Sequence, residues 1–347
     1  MSTSAPDPLR PPVPAELRHH GDAEVHAGLL DLAVNVRGTE PPPWLVSRLE
    51  RSLRQLAAYP DPRFATETVA RRHARAPEEV LVTAGAAEAF VLIARALRPL
   101  RAVCVHPSFT EPEAALLAAG HAVERLVLEP PYVLDPSAVP DDADLVVIGN
   151  PTNPTGVLHE RLEELCRPGR VTVVDEAFMD AIPGEPGSLA SQSLPGLVVV
   201  RSLTKTWALA GLRVGYLLAP PDLVTVLRAA QPLWSVSTPA LAALDVCLGR
   251  GPVKQAEREA GALAEERDRL AQGLAVLGVE VSPGSVAPYL LCRVPGRPDV
   301  RDRLRELGIA VRRCDTFPGL TVEHWRTAVR SADTSDTLLD ALRTVLA

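Results

Sequence analysis

Cysteine is scarce in this chain, and its positions do not suggest a metal site. The five cysteines among 347 residues are widely separated. No CxxC motif and no Cys/His pair at metal-ligand spacing is present, which argues against a structural metal and against a disulfide framework. We therefore expect reduced thiols, mostly in the core of a cytoplasmic protein, and no bound metal. These residues are Cys104, Cys166, Cys247, Cys292 and Cys314.

Long apolar runs and an excess of positive charge are also absent. No run of about 18 apolar residues could cross a bilayer, and the first residues lack the charged-then-apolar pattern of a signal peptide. The 36 basic and 43 acidic residues give a formal charge of −7, which disfavours broad contact with nucleic-acid phosphates. We expect neither a membrane nor a nucleic acid as partner, although a local anion pocket stays compatible with this charge.

Short apolar or β-branched runs alternate with helical patterns through the middle of the chain. This alternation predicts an α/β fold with a mainly parallel seven-stranded sheet, whose ligands collect beyond the carboxyl ends of the strands. The predicted strands cover residues 80–83, 102–106, 122–128, 144–149, 171–175, 197–202 and 214–219.

The remaining segments indicate a second, smaller α+β domain. Clustered prolines predict a disordered tail at the beginning of the chain, and a charged stretch with apolar residues at helical spacing predicts a connecting helix. The predicted division is a tail at 1–16, an N-terminal arm and small-domain segment at 17–58, a large domain at 59–239, a connecting helix at 240–277 and a small domain at 278–347.

The segment SLTKTWALAGLRVGYLLA, residues 202–219, places a lysine directly after a buried strand. Lys205 can form an imine with an aldehyde cofactor. Ser202, Thr204 and Arg213 can hold a phosphate beside it. An isolated lysine in such a loop would more often lie at the surface, but these neighbours favour the cofactor role.

Two further strand ends supply groups that suit a planar cationic ring. Asp175 in VVDEAF ends an apolar strand, where burial of the carboxylate is costly without a cationic partner such as a pyridinium N–H. The alternative is a helix cap or a partner for an arginine. Asn153 lies in the rigid turn GNPTNPTG and can donate a hydrogen bond.

A glycine turn and an aromatic residue complete the candidate site. In TAGAAEAF, the amides of Gly85, Ala86 and Ala87 open a helix and can cradle a phosphate. Phe109 in HPSFTEP can stack on a planar ring, although an aromatic at this kind of position is as often part of the core.

These motifs, in this order, resemble the fold-type I pyridoxal-phosphate (PLP) enzymes of aminotransferase class I/II over about residues 17–347. The resemblance is particularly to the branch with histidinol-phosphate aminotransferase and the cobalamin-pathway threonine-phosphate decarboxylase. It implies the aspartate aminotransferase-like fold and makes Lys205 the Schiff-base lysine and proton shuttle. Asp175 would keep the ring nitrogen protonated, and Asn153 would bind the ring hydroxyl. The cofactor phosphate would be bound by Gly85, Ala86, Ala87, Ser202, Thr204 and Arg213.

The same resemblance implies a homodimer with shared active sites, because Tyr59 in AAYPDP is similar to a tyrosine that reaches the phosphate from the neighbouring subunit.

Phe178 departs from the tyrosine usual in the aminotransferases of this branch and is similar to the residue found in the decarboxylases. The arm RHHGDAEV and the segment LDLAVNV suggest His19 and Asn35 near the substrate, with an exposed arm histidine as the alternative. Val36-Arg37 departs from the decarboxylases, and Arg37 can itself meet an anion.

Arginines near the end of the chain resemble those that grip the substrate's carboxylate and phosphate in the decarboxylases. We expect this role for Arg326, Arg330 and Arg312. Arginine's fork suits both groups, but arginines on an edge strand are usually solvated.

Four functions follow from these observations as hypotheses. Decarboxylation of L-threonine O-3-phosphate is the first, and transamination of a histidinol-phosphate-like amine with 2-oxoglutarate is the second. A non-catalytic PLP-binding protein is disfavoured by the complete set of Lys205, Asp175, Asn153 and Arg213. A hydrolase is disfavoured by the absence of a GxSxG motif.

Overall fold

A computed structural model describes residues 13–347 of the chain. Most of the predicted disordered tail, residues 1–12, lies outside the described residues. The last residues of that predicted tail enter a short 3-10 helix, Ala15–Arg18, which is followed by another, Gly21–Glu24. The arm therefore has local structure from residue 15 onward.

The helices and strands alternate along most of the chain. The α-helices in the described part are α1 Pro43–Ser52, α2 Arg63–Arg72, α3 Ala86–Ala96, α4 Glu111–Ala118, α5 Pro221–Ala230, α6 Thr238–Cys247, α7 Arg250–Val276, α8 Val300–Glu306 and α9 Ala332–Leu346. The strands are β1 Leu30–Leu32, β2 Val80–Thr83, β3 Ala102–His106, β4 Val123–Val127, β5 Leu145–Gly149, β6 Val171–Asp175, β7 Leu197–Ser202, β8 Gly215–Leu218, β9 Glu280–Val281, β10 Tyr289–Arg293, β11 Ile309–Arg313 and β12 His324–Ala328.

Seven strands form the large sheet in the order β2-β8-β7-β6-β5-β3-β4, which confirms the predicted α/β fold. Strand β8 is antiparallel to both neighbours, and the other strands run parallel. Apolar residues cover both faces, as expected for a sheet packed between helices. The carboxyl ends of β5, β6 and β7 consequently meet at one edge, where Gly149 pairs with Asp175.

A second sheet has the order β1-β11-β12-β10-β9. Strand β1 pairs in parallel with β11, so the N-terminal arm contributes to a sheet otherwise formed by C-terminal residues. Strand β12 lies inside this sheet between β11 and β10. Arg326 on β12 and Arg312 on β11 are therefore buried, only 4% and 3% exposed, which excludes the alternative of solvated edge-strand arginines for these two residues.

The stretch predicted as one connecting helix over 240–277 is two helices. Helix α6 ends at Cys247 and α7 begins at Arg250, with Gly249 in an extended conformation between them. The sequence Gly249-Arg250-Gly251-Pro252 explains the break, because proline is favoured in a first turn and not in a helix interior. Apolar spacing alone did not predict it, because both segments carry apolar residues at helical spacing.

The cysteines of the chain are free thiols, and most of them lie in the core. Cys104, Cys247, Cys292 and Cys314 are buried, and all five thiols are free. Across residues 13–347 no helix is long and apolar enough to span a membrane. The same residues contain no group of three or more His, Cys, Asp or Glu side chains arranged to hold a metal ion.

Candidate active site

A cavity of about 530 Å³ lies at the carboxyl edge of the large sheet, between the two sheets and the N-terminal arm. It brings together most of the residues predicted from the motifs. Those that line it are Asn35, Ala86, Ala87, Phe109, Asn153, Asp175, Ser202, Thr204, Lys205, Arg213, Arg312 and Arg326.

Lys205 follows β7 and presents its amine to this cavity. Burial, together with the neighbouring charges of Arg326 and Arg213, lowers the pKa of the amine to about 8. The backbone carbonyl of Lys205 accepts a hydrogen bond from the Arg37 amide at 2.8 Å, which fixes the loop. A lysine held in this way has a substantial neutral fraction near pH 8, as a nucleophilic amine requires.

Asp175 ends β6 beside the lysine. Its carboxylate accepts a hydrogen bond from the Ala177 amide at 3.1 Å. Burial nevertheless raises its pKa to about 7, and the nearby Lys205 only partly opposes that rise. A buried carboxylate whose charge is stabilised this weakly suits a cationic N–H donor placed in the cavity.

An anion cradle forms where β2 turns into α3. Gly85 has a left-handed φ of +79°, and a Cβ atom there would lie 2.9 Å from Nη2 of Arg213. The guanidinium therefore packs directly against the glycine, next to the free amides of the first turn of α3. Ser202 and Thr204 lie on the same side of the cavity. This combination of amides, hydroxyls and a guanidinium suits a phosphate.

Aromatic rings and Asn153 border the space between the lysine and the cradle. Phe109 lines one part of the cavity, and Phe178 packs edge-on against Tyr289 with ring centroids 5.0 Å apart. The Lys205 amine lies 5.9 Å from the centroid of the Phe178 ring. Phe178 offers no hydroxyl to a bound ring, so Asn153 is the polar side chain available for a ring oxygen here.

These groups fit PLP. The buried Asp175 carboxylate matches a pyridinium N–H, the cradle at Gly85 matches the phosphate, and the Lys205 amine matches the aldehyde. When bound, PLP supplies a carbonyl that combines with amines and a ring that withdraws electrons from the α carbon of a substrate. A two-domain α/β architecture with this arrangement defines a PLP-dependent enzyme of the aspartate aminotransferase type.

Comparison with known proteins leads to the same class. The chain belongs to the aminotransferase class I and II family, whose sequence profile matches residues 27–344. It is 51% identical over 321 residues to a histidinol-phosphate aminotransferase of Mycobacterium tuberculosis, covering 91% of this chain and 88% of that protein. It is 34% identical over 337 residues to the threonine-phosphate decarboxylase of Salmonella typhimurium, covering 92% and 91%.

A solved structure shares the fold. The histidinol-phosphate aminotransferase from Clostridium acetobutylicum superposes with a TM-score of 0.83 at 24% identity, over 92% of this chain and 99% of that chain. The expected fold, family and PLP dependence are thereby confirmed.

Two buried arginines of the small domain, Arg312 and Arg326, face the cavity. Burial lowers the pKa of Arg326 to about 10, assisted by the nearby charge of Arg312. Arg312 donates to the Thr316 hydroxyl at 2.9 Å, and a Glu24 carboxylate oxygen lies 3.8 Å away. Within the described residues, no carboxylate forms an ion pair with Arg326. Buried cations of this kind suit an anionic ligand.

Two predicted residues, Arg330 and Tyr59, do not line this cavity. Arg330 lines a neighbouring cavity rather than the one containing Arg326, because β12 has ended and the chain turns into α9. Tyr59 is 75% exposed and stacks on Trp234, with ring centroids 4.1 Å apart. It does not reach the cavity of its own chain, so its predicted contact with a partner's cofactor stays a prediction.

His19 is not the arm histidine that faces the cavity; its neighbour His20 is. The His19 ring contacts Glu24 at 2.8 Å, whereas His20 Nε2 lies 2.8 Å from a carboxylate oxygen of Glu111. His19 is thus held within the arm, whereas His20 meets the first residue of α4; the arm also packs closely at Gly21, where a Cβ would lie 2.7 Å from the Ala33 carbonyl oxygen. The doubled histidine was the available signal, and choosing between its two members required these contacts. The sequence analysis also missed Glu111.

Proposed function

We propose that this enzyme decarboxylates a phosphorylated amino acid, and that the substrate is L-threonine O-3-phosphate. The observation that supports this most directly is the pair of buried guanidinium groups, Arg312 and Arg326, on the cavity wall. These two cations, of which only Arg312 has a carboxylate within 4 Å, match the two negative charges of a side-chain phosphate. The 34% identity to a threonine-phosphate decarboxylase supports the same choice.

The chain's own residues divide the work as follows. With PLP bound, Lys205 would hold the cofactor aldehyde, and its amine is the group that would carry a proton to the α carbon of the substrate. Asp175 would stabilise a positive charge on the ring nitrogen of the cofactor, which lets the ring withdraw electrons from the α carbon. Arg312 and Arg326 orient the substrate. An arginine on the side-chain phosphate would leave the substrate carboxylate unheld, so that it could depart as CO2 while Lys205 supplies the proton that replaces it at the α carbon.

Transamination of a histidinol-phosphate-like amine is the second candidate. It is supported by the 51% identity to a protein named histidinol-phosphate aminotransferase. In that reaction the same arginines would hold the phosphate of the amine and then a carboxylate of 2-oxoglutarate. Lys205 would move a proton from the α carbon rather than replace a lost CO2.

A direct assay separates the two. Purified holoenzyme is incubated with O-phospho-L-threonine in the absence of any keto acid, and CO2 and aminopropanol phosphate are measured. Release of both products supports decarboxylation, whereas turnover that strictly depends on 2-oxoglutarate contradicts it.

Arg312→Gln should lower kcat/KM at least tenfold, because hydrogen bonds to charged groups contribute about 1.5–3 kcal/mol. Arg343→Gln, which removes an exposed arginine of α9, serves as the matched control.

The functional unit that we propose is a homodimer. Tyr59 and Trp234 form an exposed aromatic stack, and Phe64 and Leu233 are also largely exposed. Large apolar side chains exposed together favour contact with another protein surface. A second copy of this chain is the proposed partner, with Tyr59 contacting the cofactor phosphate of the other subunit.

A further inference from the structure

A second cavity, of about 550 Å³, lies beside the active site and shares Asn35 and Lys205 with it. Its other walls come from α7, from the segment around Arg37 and from the turn into α9. None of the steps described above uses this space. Its polar lining is nevertheless rich in hydrogen-bond donors.

Asn35 is the clearest sign that the space is built for a ligand. The side chain is only 6% exposed, yet within the described part of the chain neither its amide nitrogen nor its oxygen has a hydrogen-bond partner. A buried amide without partners costs free energy, so such groups normally meet a ligand or water.

Two arginines contribute guanidinium N–H groups that are not all hydrogen-bonded within the described residues. Nη1 of Arg37 donates to Glu259 at 2.8 Å, while its buried Nη2 has no partner among the described residues. Arg330 donates to the Val34 carbonyl, and residues 13–347 include no carboxylate in an ion pair with it. Burial lowers the pKa of Arg330, and the nearby charge of Asp31 only partly opposes this.

The N-terminus of α9 opens on the same space. Ser331 and Thr334 line the cavity with hydroxyls 3.0 Å apart, and the Ser331 side chain does not cap the helix. The first amides of this 15-residue helix therefore lack intrahelical acceptors and carry the positive end of its dipole.

The acidic residues of the lining do not cancel this donor set. Glu259 accepts hydrogen bonds from Arg37 and from Gln255 at 2.9 Å. Glu266 is bound by Arg269, also at 2.9 Å. Both carboxylates therefore already have hydrogen-bond partners, whereas Arg330 forms no ion pair within the described residues.

From this convergence we infer a second oxyanion site that takes a compact tetrahedral anion of the phosphate class. Guanidinium groups, hydroxyls, helix amides and the Asn35 amide approach from several walls. A tetrahedral anion has acceptor oxygens in enough directions to use them, and a planar carboxylate has fewer. Because Asn35 and Lys205 border both cavities, an anion here lies next to the reacting amine without occupying the cofactor cradle.

Titration calorimetry with inorganic phosphate on the PLP-loaded enzyme, in a phosphate-free buffer of low ionic strength, tests the site. Loading with PLP keeps the probe out of the cradle at Gly85. We expect Arg330→Gln to weaken phosphate binding about tenfold, as loss of one charge-assisted hydrogen bond does. Arg343→Gln, at the other end of the same helix, should bind phosphate as the unaltered enzyme does.

The substrate arginines provide the decisive comparison. Arg326→Gln should leave one phosphate-binding event intact, whereas loss of all phosphate binding in that variant and its persistence in Arg330→Gln would overturn the proposal. Thr334→Val keeps every charge and should also weaken phosphate binding, which guards against misfolding of the arginine variant. Undetectable phosphate binding, or tighter binding of acetate than of phosphate, would likewise contradict the inference.

Discussion

The guanidinium of Arg326 donates a hydrogen bond to the side-chain oxygen of Asn153. This contact joins β12 of the small domain to the loop after β5 in the large domain. Because the Asn153 oxygen is occupied by Arg326, its amide nitrogen is left to donate towards a ring oxygen. A residue proposed to contact the cofactor is thereby coupled to a residue proposed to bind the substrate.

This coupling predicts the effect of Asn153→Asp. A carboxylate at this position would form an ion pair with Arg326 and reduce its attraction for an anionic substrate. We expect KM to rise by about tenfold or more, in line with the free energy of a charged hydrogen bond. Steady-state kinetics measures the change, and the visible spectrum verifies that cofactor is still bound. An unchanged KM would show that Arg326 does not bind the substrate.

Asp175→Asn should have opposite effects on the cofactor-free and PLP-loaded protein. The pKa of Asp175 is about 7 in the folded chain against an ordinary value of 3.8. A raised carboxyl pKa stabilises the folded state at low pH, and that stability is lost as the pH rises from about 4 through 7. At pH 8 the cofactor-free Asp175→Asn variant should therefore melt at a higher temperature than the cofactor-free unaltered chain.

The PLP-loaded form reverses this order, because the carboxylate then has a cationic partner that asparagine cannot replace. Thermal melts of both forms at pH 5 and pH 8 measure the difference. Equal destabilisation of both forms at pH 8 would mean that Asp175 is satisfied without a cofactor.

The sequence predicted the large sheet and its strand ends because those features are local. β-Branched runs mark buried strands, and Lys205, Asp175 and Asn153 each follow such a run directly. The sequence was less informative about features that tertiary contacts determine. The choice of His20 over His19 depends on which ring meets Glu111 of α4 and which meets Glu24. The separation of Arg330 from Arg326 depends on where β12 ends.

Phe178→Tyr should change how the lysine-bound cofactor titrates. The Phe178 ring is near the Lys205 amine, so a hydroxyl added there can donate to the ring oxygen of the cofactor. That bond stabilises the negative oxygen and weakens its hold on the proton shared with the lysine nitrogen. We expect the spectroscopic pKa to fall by about one unit. Phe109→Tyr is the matched control, and a pKa that rises would contradict this geometry.

Mixed dimers test whether Tyr59 acts across a subunit interface. Tyr59 is exposed in its own chain and lies outside its own cavity, so its proposed contact needs a second copy. Tyr59→Ala and Lys205→Ala proteins should each have little activity alone. In a mixed dimer, one of the two sites combines Lys205 of one chain with Tyr59 of the other. After random exchange of subunits, about a quarter of all sites should therefore be intact. Activity that does not rise on mixing, although sedimentation shows exchanged dimers, would place Tyr59 outside the active site.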